Sequence, residues 1–223
     1  MQRCIYLMLL LLTGCVDHKH YSEADLQEYV LTEDNGLTKI YESGEAKIVV
    51  TYRPTDLLVA QELGNVSNYS IEEIQALRNK YGQYAYFILS ISSGNKEALY
   101  SGNLAYEQFS NLVQNLAFRL DQYANLTTSA SDTIPVADFV FPRTYGAGSA
   151  TSLMAVFNKQ DFTKSKWVQF NLKEMGLGLG NRKFRFVTQD IESAPNIDFS
   201  HYIRPPDQNT PVTPLSYRKP DTK

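Results

Sequence analysis

The run Tyr84-Ala85-Tyr86-Phe87-Ile88-Leu89-Ser90-Ile91 decides how the chain is read. It is the most apolar stretch after residue 15, and it does not alternate. A core helix needs more length than this, whereas a strand covered on both faces reads as a short continuous apolar run. It is expected to be the central strand of a sheet. The flanking segments are then read by asking how they cover it.

Upstream, Ile48, Val50 and Tyr52 alternate with Lys47, Thr51 and Arg53, the period-2 pattern of a half-buried strand over residues 46–53. Residues 37–41 form a partner strand across Ser43-Gly44-Glu45. Pro54 stops the second strand, because proline has no amide hydrogen for a ladder and suits a helix start. Helices are expected over 55–63 and 70–81. The latter opens on Ser70-Ile71-Glu72-Glu73, a reciprocal capping pattern, and ends at Gly82. An earlier helix starts after Ser22, with Glu23 and Asp25 suiting its positive end, and Leu26, Tyr29 and Val30 forming its apolar stripe. Asn35-Gly36 stops it.

Downstream, residues 104–123 read as the longest helix. Phe109, Leu112, Val113, Leu116, Leu120 and Tyr123 share one face, and Asn111, Gln114, Asn115, Arg119 and Gln122 are expected in water. From Thr133 strands are expected over 135–141, 152–158, 166–172 and 182–188, separated by glycine-containing turns. Helices and strands are segregated rather than alternating. That order predicts an α+β fold, a mostly antiparallel sheet with helices packed on one face, in a single domain over 22–203. Residues 204–223 hold five of the nine prolines and are expected to be extended and poorly ordered.

Composition narrows the function classes. The 223 residues carry 21 basic and 24 acidic side chains, a net charge of −3, so no overall basic character suits nucleic acid. Hydrophobic content of 43% and charged content of 20% are those of a globular chain. There are 15 Tyr and 11 Phe but one Trp, Trp167.

The candidate chemistry is sparse. His18 and His20 lie in a polar segment with no third ligand nearby in sequence, so solvated linker is preferred to a metal site. His201 precedes the proline-rich tail, and no G-x-S-x-G elbow accompanies it; Gly146-Ala147-Gly148-Ser149-Ala150 misses that pattern in register. Gly176, Gly178 and Gly180 suggest a phosphate loop only superficially. Asn181 stands where a dinucleotide fingerprint needs glycine, and a strand rather than a helix follows, so a hairpin turn is expected. No cofactor or metal is expected. Arg143 and Tyr145, in Arg143-Thr144-Tyr145-Gly146, stand at a strand-to-loop boundary where they suit a carboxylate or a sugar. The plainer alternative is that Arg143 pairs with a local carboxylate and Tyr145 packs.

The first fifteen residues are MQRCIYLMLLLLTGC. Arg3 precedes an apolar run from Ile5 to Leu12, which is too short to span about 30 Å of hydrocarbon. It has the length and flanks of a signal-peptide core. The ending Leu12-Thr13-Gly14-Cys15 resembles the lipobox of bacterial lipoproteins. That resemblance implies cleavage before Cys15, lipid on its thiol, and anchoring by two or more acyl chains. Residues 1–14 are then the signal peptide and 15–21 a lipidated tether. Cys4 leaves with the signal and Cys15 is modified, so the mature domain has no thiol for a disulfide, a metal or a nucleophile.

The lipobox, the Tyr- and Asn-rich composition and the run Tyr52-Arg53-Pro54-Thr55-Asp56-Leu57-Leu58-Val59 resemble uncharacterised lipoproteins of Bacteroidota. The resemblance implies the cell envelope, with an outer-membrane address, and no activity. Surface export in such proteins uses an acidic cluster after the cysteine. Val16-Asp17-His18-Lys19 supplies one acid, which leaves the periplasmic or surface face open. Asp132-Thr133-Ile134 resembles the short acceptor of O-glycosylation in the same group, making Thr133 a candidate in a polar loop. Two readings follow. One is a non-enzymatic binding or assembly lipoprotein with an envelope protein or glycan as partner; the alternative is a periplasmic hydrolase of envelope polymer or peptide using acids and His201.

Overall fold

Helix α1 (Glu23–Leu31) is fixed at its start by Ser22. The Ser22 hydroxyl accepts the Asp25 amide at 3.1 Å while the Ser22 amide donates to the Asp25 carboxylate at 2.9 Å. The computed structural model describes residues 21–64, 68–100 and 104–204. The expectations for the signal peptide, Cys15, the tether with His18 and His20, and the tail after Arg204 lie outside the described residues. Gly36, at φ +77°, turns the chain into a hairpin of β1 (Thr38–Ser43) and β2 (Ala46–Arg53). Pro54 then ends β2 and α2 (Thr55–Leu63) begins, as the proline predicts. Helix α3 (Ile71–Gly82) carries the expected Ser70–Glu73 cap, with bonds of 3.1 and 2.7 Å.

The apolar run becomes β3 (Tyr84–Ser93), and the short β4 (Lys96–Glu97) folds back on it. Helix α4 (Tyr106–Phe118) stops earlier than its sequence stripe suggests. Arg119 leaves the helical region at φ −138°, which aims Leu120 fully into the core and starts the short α5 (Leu120–Tyr123). Asn115, expected in water, is buried at the edge of the stripe between Leu112 and Leu116. The chain then enters β5 (Ala124–Thr128), a strand not anticipated from sequence.

The single strand expected over 135–141 is two strands in two different sheets. β6 (Thr133–Pro135) pairs with β5, and β7 (Asp138–Val140) pairs with β8 (Thr151–Asn158). The dipeptide Val136-Ala137 is the crossover between sheets. β9 (Trp167–Leu172) and β10 (Arg182–Val187) form the glycine-loop hairpin, and α6 (Thr188–Glu192) follows directly.

The result is α+β with every strand of the two sheets paired antiparallel. The first sheet has the order β1-β2-β3-β8-β7 with β4 on β3, and the second has β10-β9-β5-β6. The central position of β3 is the one its unalternated sequence predicts. Division into two sheets was not legible there. Phe87 of β3 holds them together: its ring lies 5.8 Å from Phe170 of β9, 5.2 Å from Phe186 of β10 and 5.8 Å from Phe157 of β8. These are edge-to-face and tilted contacts, which add to the burial of each ring. The main buried cluster runs from Leu26 to Tyr202 and draws on both sheets, so the two sheets share one core.

The outer face of the first sheet carries helices. Leu58 of α2 packs with Tyr86 of β3 and Val156 of β8. Asp56, 4% exposed, clasps this layer to the C-terminal segment. It accepts two bonds from the Arg78 guanidinium, at 2.8 and 2.7 Å, and the Ile197 amide at 2.8 Å.

Candidate functional site

The segment from 141 to 150 leaves β7 and returns as β8 without regular structure, so its shape must be held by side chains. Glu97 does this from the end of β4. Although 2% exposed, its carboxylate accepts the Thr144 hydroxyl at 2.7 Å and the Gly148 amide at 2.7 Å. Burial pushes the Glu97 carboxyl up, but the Thr144 hydroxyl and the amides of Gly148 and Gly146 outweigh it and leave it below the usual glutamate range. A Cβ at Gly148 would stand 3.1 Å from the Glu97 oxygen, so a larger residue there would crowd the latch.

Between its two anchor points the loop makes a tight turn. The Ala147 amide donates to the Thr144 carbonyl at 3.0 Å, with Tyr145 at φ +52° and Gly146 at φ +82°. Two successive positive φ values are the signature of a type I′ turn. Glycine adopts them freely; tyrosine does not. Tyr145 is 73% exposed, so burial of its ring does not compensate the strain. Strained, exposed side chains of this kind gather at ligand sites.

Arg143 and Tyr145 line one cavity of about 230 Å³, together with Glu97, Tyr100, Phe109 and Phe141. Tyr100 and Phe109 pack edge to face at 5.6 Å to form its aromatic wall. Arg143 is exposed and has no carboxylate partner among the described residues. Neither a local ion pair for Arg143 nor packing for Tyr145 is what the structure contains. The signal that could have found Glu97, Tyr100 and Phe109 is weak, because they come from β4, the 98–100 turn and α4. Only the fold brings them to the loop.

The same loop also bounds a larger groove of about 710 Å³ on the outer face of the first sheet. Gly148, Ser149 and Ala150 form one side and α1 the other, over a floor that includes Thr51, Ser90 and Ser152. The Ser90 and Ser152 hydroxyls bond each other at 2.8 Å. Arg53 reaches into this groove and bonds Gln61 at 3.0 Å, so it does more than end a strand.

The remaining sequence candidates are placed elsewhere. The Gly176–Gly180 segment is the β9–β10 hairpin loop, and four of its five amides are already occupied. Glu174 accepts the amides of Gly176, Leu177 and Gly178 at 2.8, 2.6 and 2.9 Å, and that of Gly180 as well. The loop is a nest for an anion, filled by its own glutamate. Thr133 is exposed, but it lies in edge strand β6 rather than in a loop. His201 stacks on Tyr202 with ring centres 4.0 Å apart. Among the described residues no three His, Cys, Asp or Glu side chains gather as a metal site, and no helix is long and apolar enough to cross a membrane.

The chain matches no protein-family model and no curated protein. It is similar to a solved structure from Burkholderia pseudomallei, described as a novel protein of unknown function, at 8% identity. That similarity has a TM-score of 0.39 and covers 80% of this chain and 96% of the other.

Proposed function

We propose that this chain is a non-enzymatic binding lipoprotein of the bacterial envelope, anchored on the outer membrane by lipid at Cys15. Its ligand site is the pocket beside the 141–150 loop. The observation that supports the reading is Arg143, a guanidinium with no carboxylate partner among the described residues, lining an aromatic pocket next to Tyr145 held at positive φ. A cavity of about 230 Å³ is smaller than a drug-sized site and suits a single ring. Aromatic walls favour an aromatic ring, and a guanidinium fork favours an adjacent carboxylate. The fitting ligand is therefore the C-terminal aromatic residue of a partner protein or peptide.

Equilibrium titration with N-acetyl-phenylalanine and with its amide tests the site. The acid should bind in preference to the amide, and Arg143→Gln should erase the preference. Equal binding of the two, or none, would remove the pocket from consideration. The anchor has its own test: Cys15→Ser should move the protein from the membrane fraction to the soluble fraction, and a variant that stays on membranes would place the anchor elsewhere.

A further inference from the structure

The outer face of the second sheet is unlike the rest of this acidic chain. Its residues follow from the period of the strands and the register of their pairing. One row across the sheet is Arg185, Gln169, Thr127 and Thr133; the next is Lys183, Asn171, Asn125 and Pro135; Trp167 stands beyond, opposite Val187. None of these ten residues is buried, and none is acidic. The net charge of −3 therefore conceals a cationic, carboxylate-free face.

The polar groups on this face are hydrogen-bonded in one direction. Arg185 donates to the Gln169 oxygen at 3.2 Å, and the Gln169 amide donates to the Asn171 oxygen at 2.9 Å. The Asn171 amide donates to Asn125 at 2.8 Å and to Thr127 at 2.6 Å. The chain of bonds holds five side chains in fixed orientation across three strands. It also leaves mostly donors unspent: the Asn125 amide, the second Gln169 hydrogen, the remaining Arg185 hydrogens and the Lys183 ammonium. The Arg185 guanidinium lies 4.0 Å over the Trp167 ring, a cation–π contact that helps to fix its position.

We infer that this face binds an acidic polysaccharide, a glycan strand whose repeating sugars bear carboxylates. The carboxylates pair with Arg185 and Lys183, Trp167 supports the Arg185 guanidinium from beneath, and the oriented amides donate to sugar hydroxyls. Charge complementarity selects an anionic glycan over a neutral one. Two cations are too few for an anionic membrane surface, which is held by clusters of four or more. The face is separate from the pocket of Arg143, so either site can fail without the other.

Trp167 is the sole tryptophan of the sequence, so its fluorescence reports on this face directly. Polygalacturonate added to the purified protein should change the emission saturably and retard the protein in affinity electrophoresis. Neutral dextran should do neither. Arg185→Gln and Lys183→Gln, checked for an unchanged melting temperature, should each weaken polygalacturonate binding at least tenfold, and Lys159→Gln should leave it intact. The inference is overturned if polygalacturonate gives no response, or if dextran, duplex DNA or phosphatidylglycerol vesicles give an equal one. It is overturned as well if the folded Arg185 and Lys183 variants bind like the parent.

Discussion

The Thr144 hydroxyl donates to the Glu97 carboxylate at 2.7 Å, joining a loop to a strand 47 residues earlier in the chain. With the Gly148 amide on the same oxygen, this bond shapes the wall shared by the aromatic pocket and the larger groove. Glu97→Gln should keep the shape but lose charge assistance, lowering stability by about 1–2 kcal/mol in urea denaturation. Arg143-dependent binding should weaken with it. Unchanged binding would show that the latch does not position the pocket.

Glu97 and Glu174 should make the two loops acid-sensitive together. Burial raises each carboxyl, and donated hydrogen bonds more than offset it, so both sit below the usual glutamate range in the folded protein. A depressed folded value means that the stabilisation is present above the unfolded glutamate range and is lost as pH falls through the folded values. The protection factors of the Gly148 and Gly178 amides, each referred to an unstructured peptide at the same pH, should therefore be high near neutrality and fall in acid, at a pH below about 4.3. Glu174→Gln should remove the acid dependence at Gly178 and leave that at Gly148.

Tyr145→Gly should stabilise the protein while impairing its pocket. Relief of the positive φ outweighs the added freedom of the unfolded chain by about 0.5 kcal/mol. The melting temperature should rise slightly and binding of N-acetyl-phenylalanine should fall. A lower melting temperature would mean that the Tyr145 ring contributes more to the fold than its 73% exposure indicates.

Asp56→Asn should cost more stability than Glu97→Gln. It breaks the bidentate bond to Arg78 and weakens the acceptor of the Ile197 amide, leaving a cation against the Phe199 ring. Because Arg78 keeps 31% exposure, the loss should fall at the lower end for broken buried pairs, about 3 kcal/mol by chemical denaturation. Asp56→Asn combined with Arg78→Met should recover part of it.

Phe87→Ala tests the contact between sheets. The ring touches both, so removal leaves a cavity that neither sheet can close alone, costing about 3–5 kcal/mol. A loss under 1 kcal/mol in the same measurement would contradict the packing.

Local physics made much of this protein readable from its residues. The Ser22 and Ser70 caps, the stop at Pro54, the alternation of β2 and the unbroken apolar run of β3 depend on neighbours a few positions away, and they formed as read. Arg143 and Tyr145 stood out for the same reason, as a cation and an aromatic ring beside a glycine. The end of α4 at Arg119, the burial of Asn115 and the strand β5 were not readable, because packing against distant elements overrode the helical period. The division into two sheets rests on Phe87 meeting Phe170 and Phe186, residues far along the chain from it. Glu97, Tyr100 and Phe109 reach the Arg143 pocket only through the path of the folded backbone. The cationic face also needed the register of four strands, since period 2 assigns each residue a side but only pairing sets Arg185, Gln169 and Thr127 in one row.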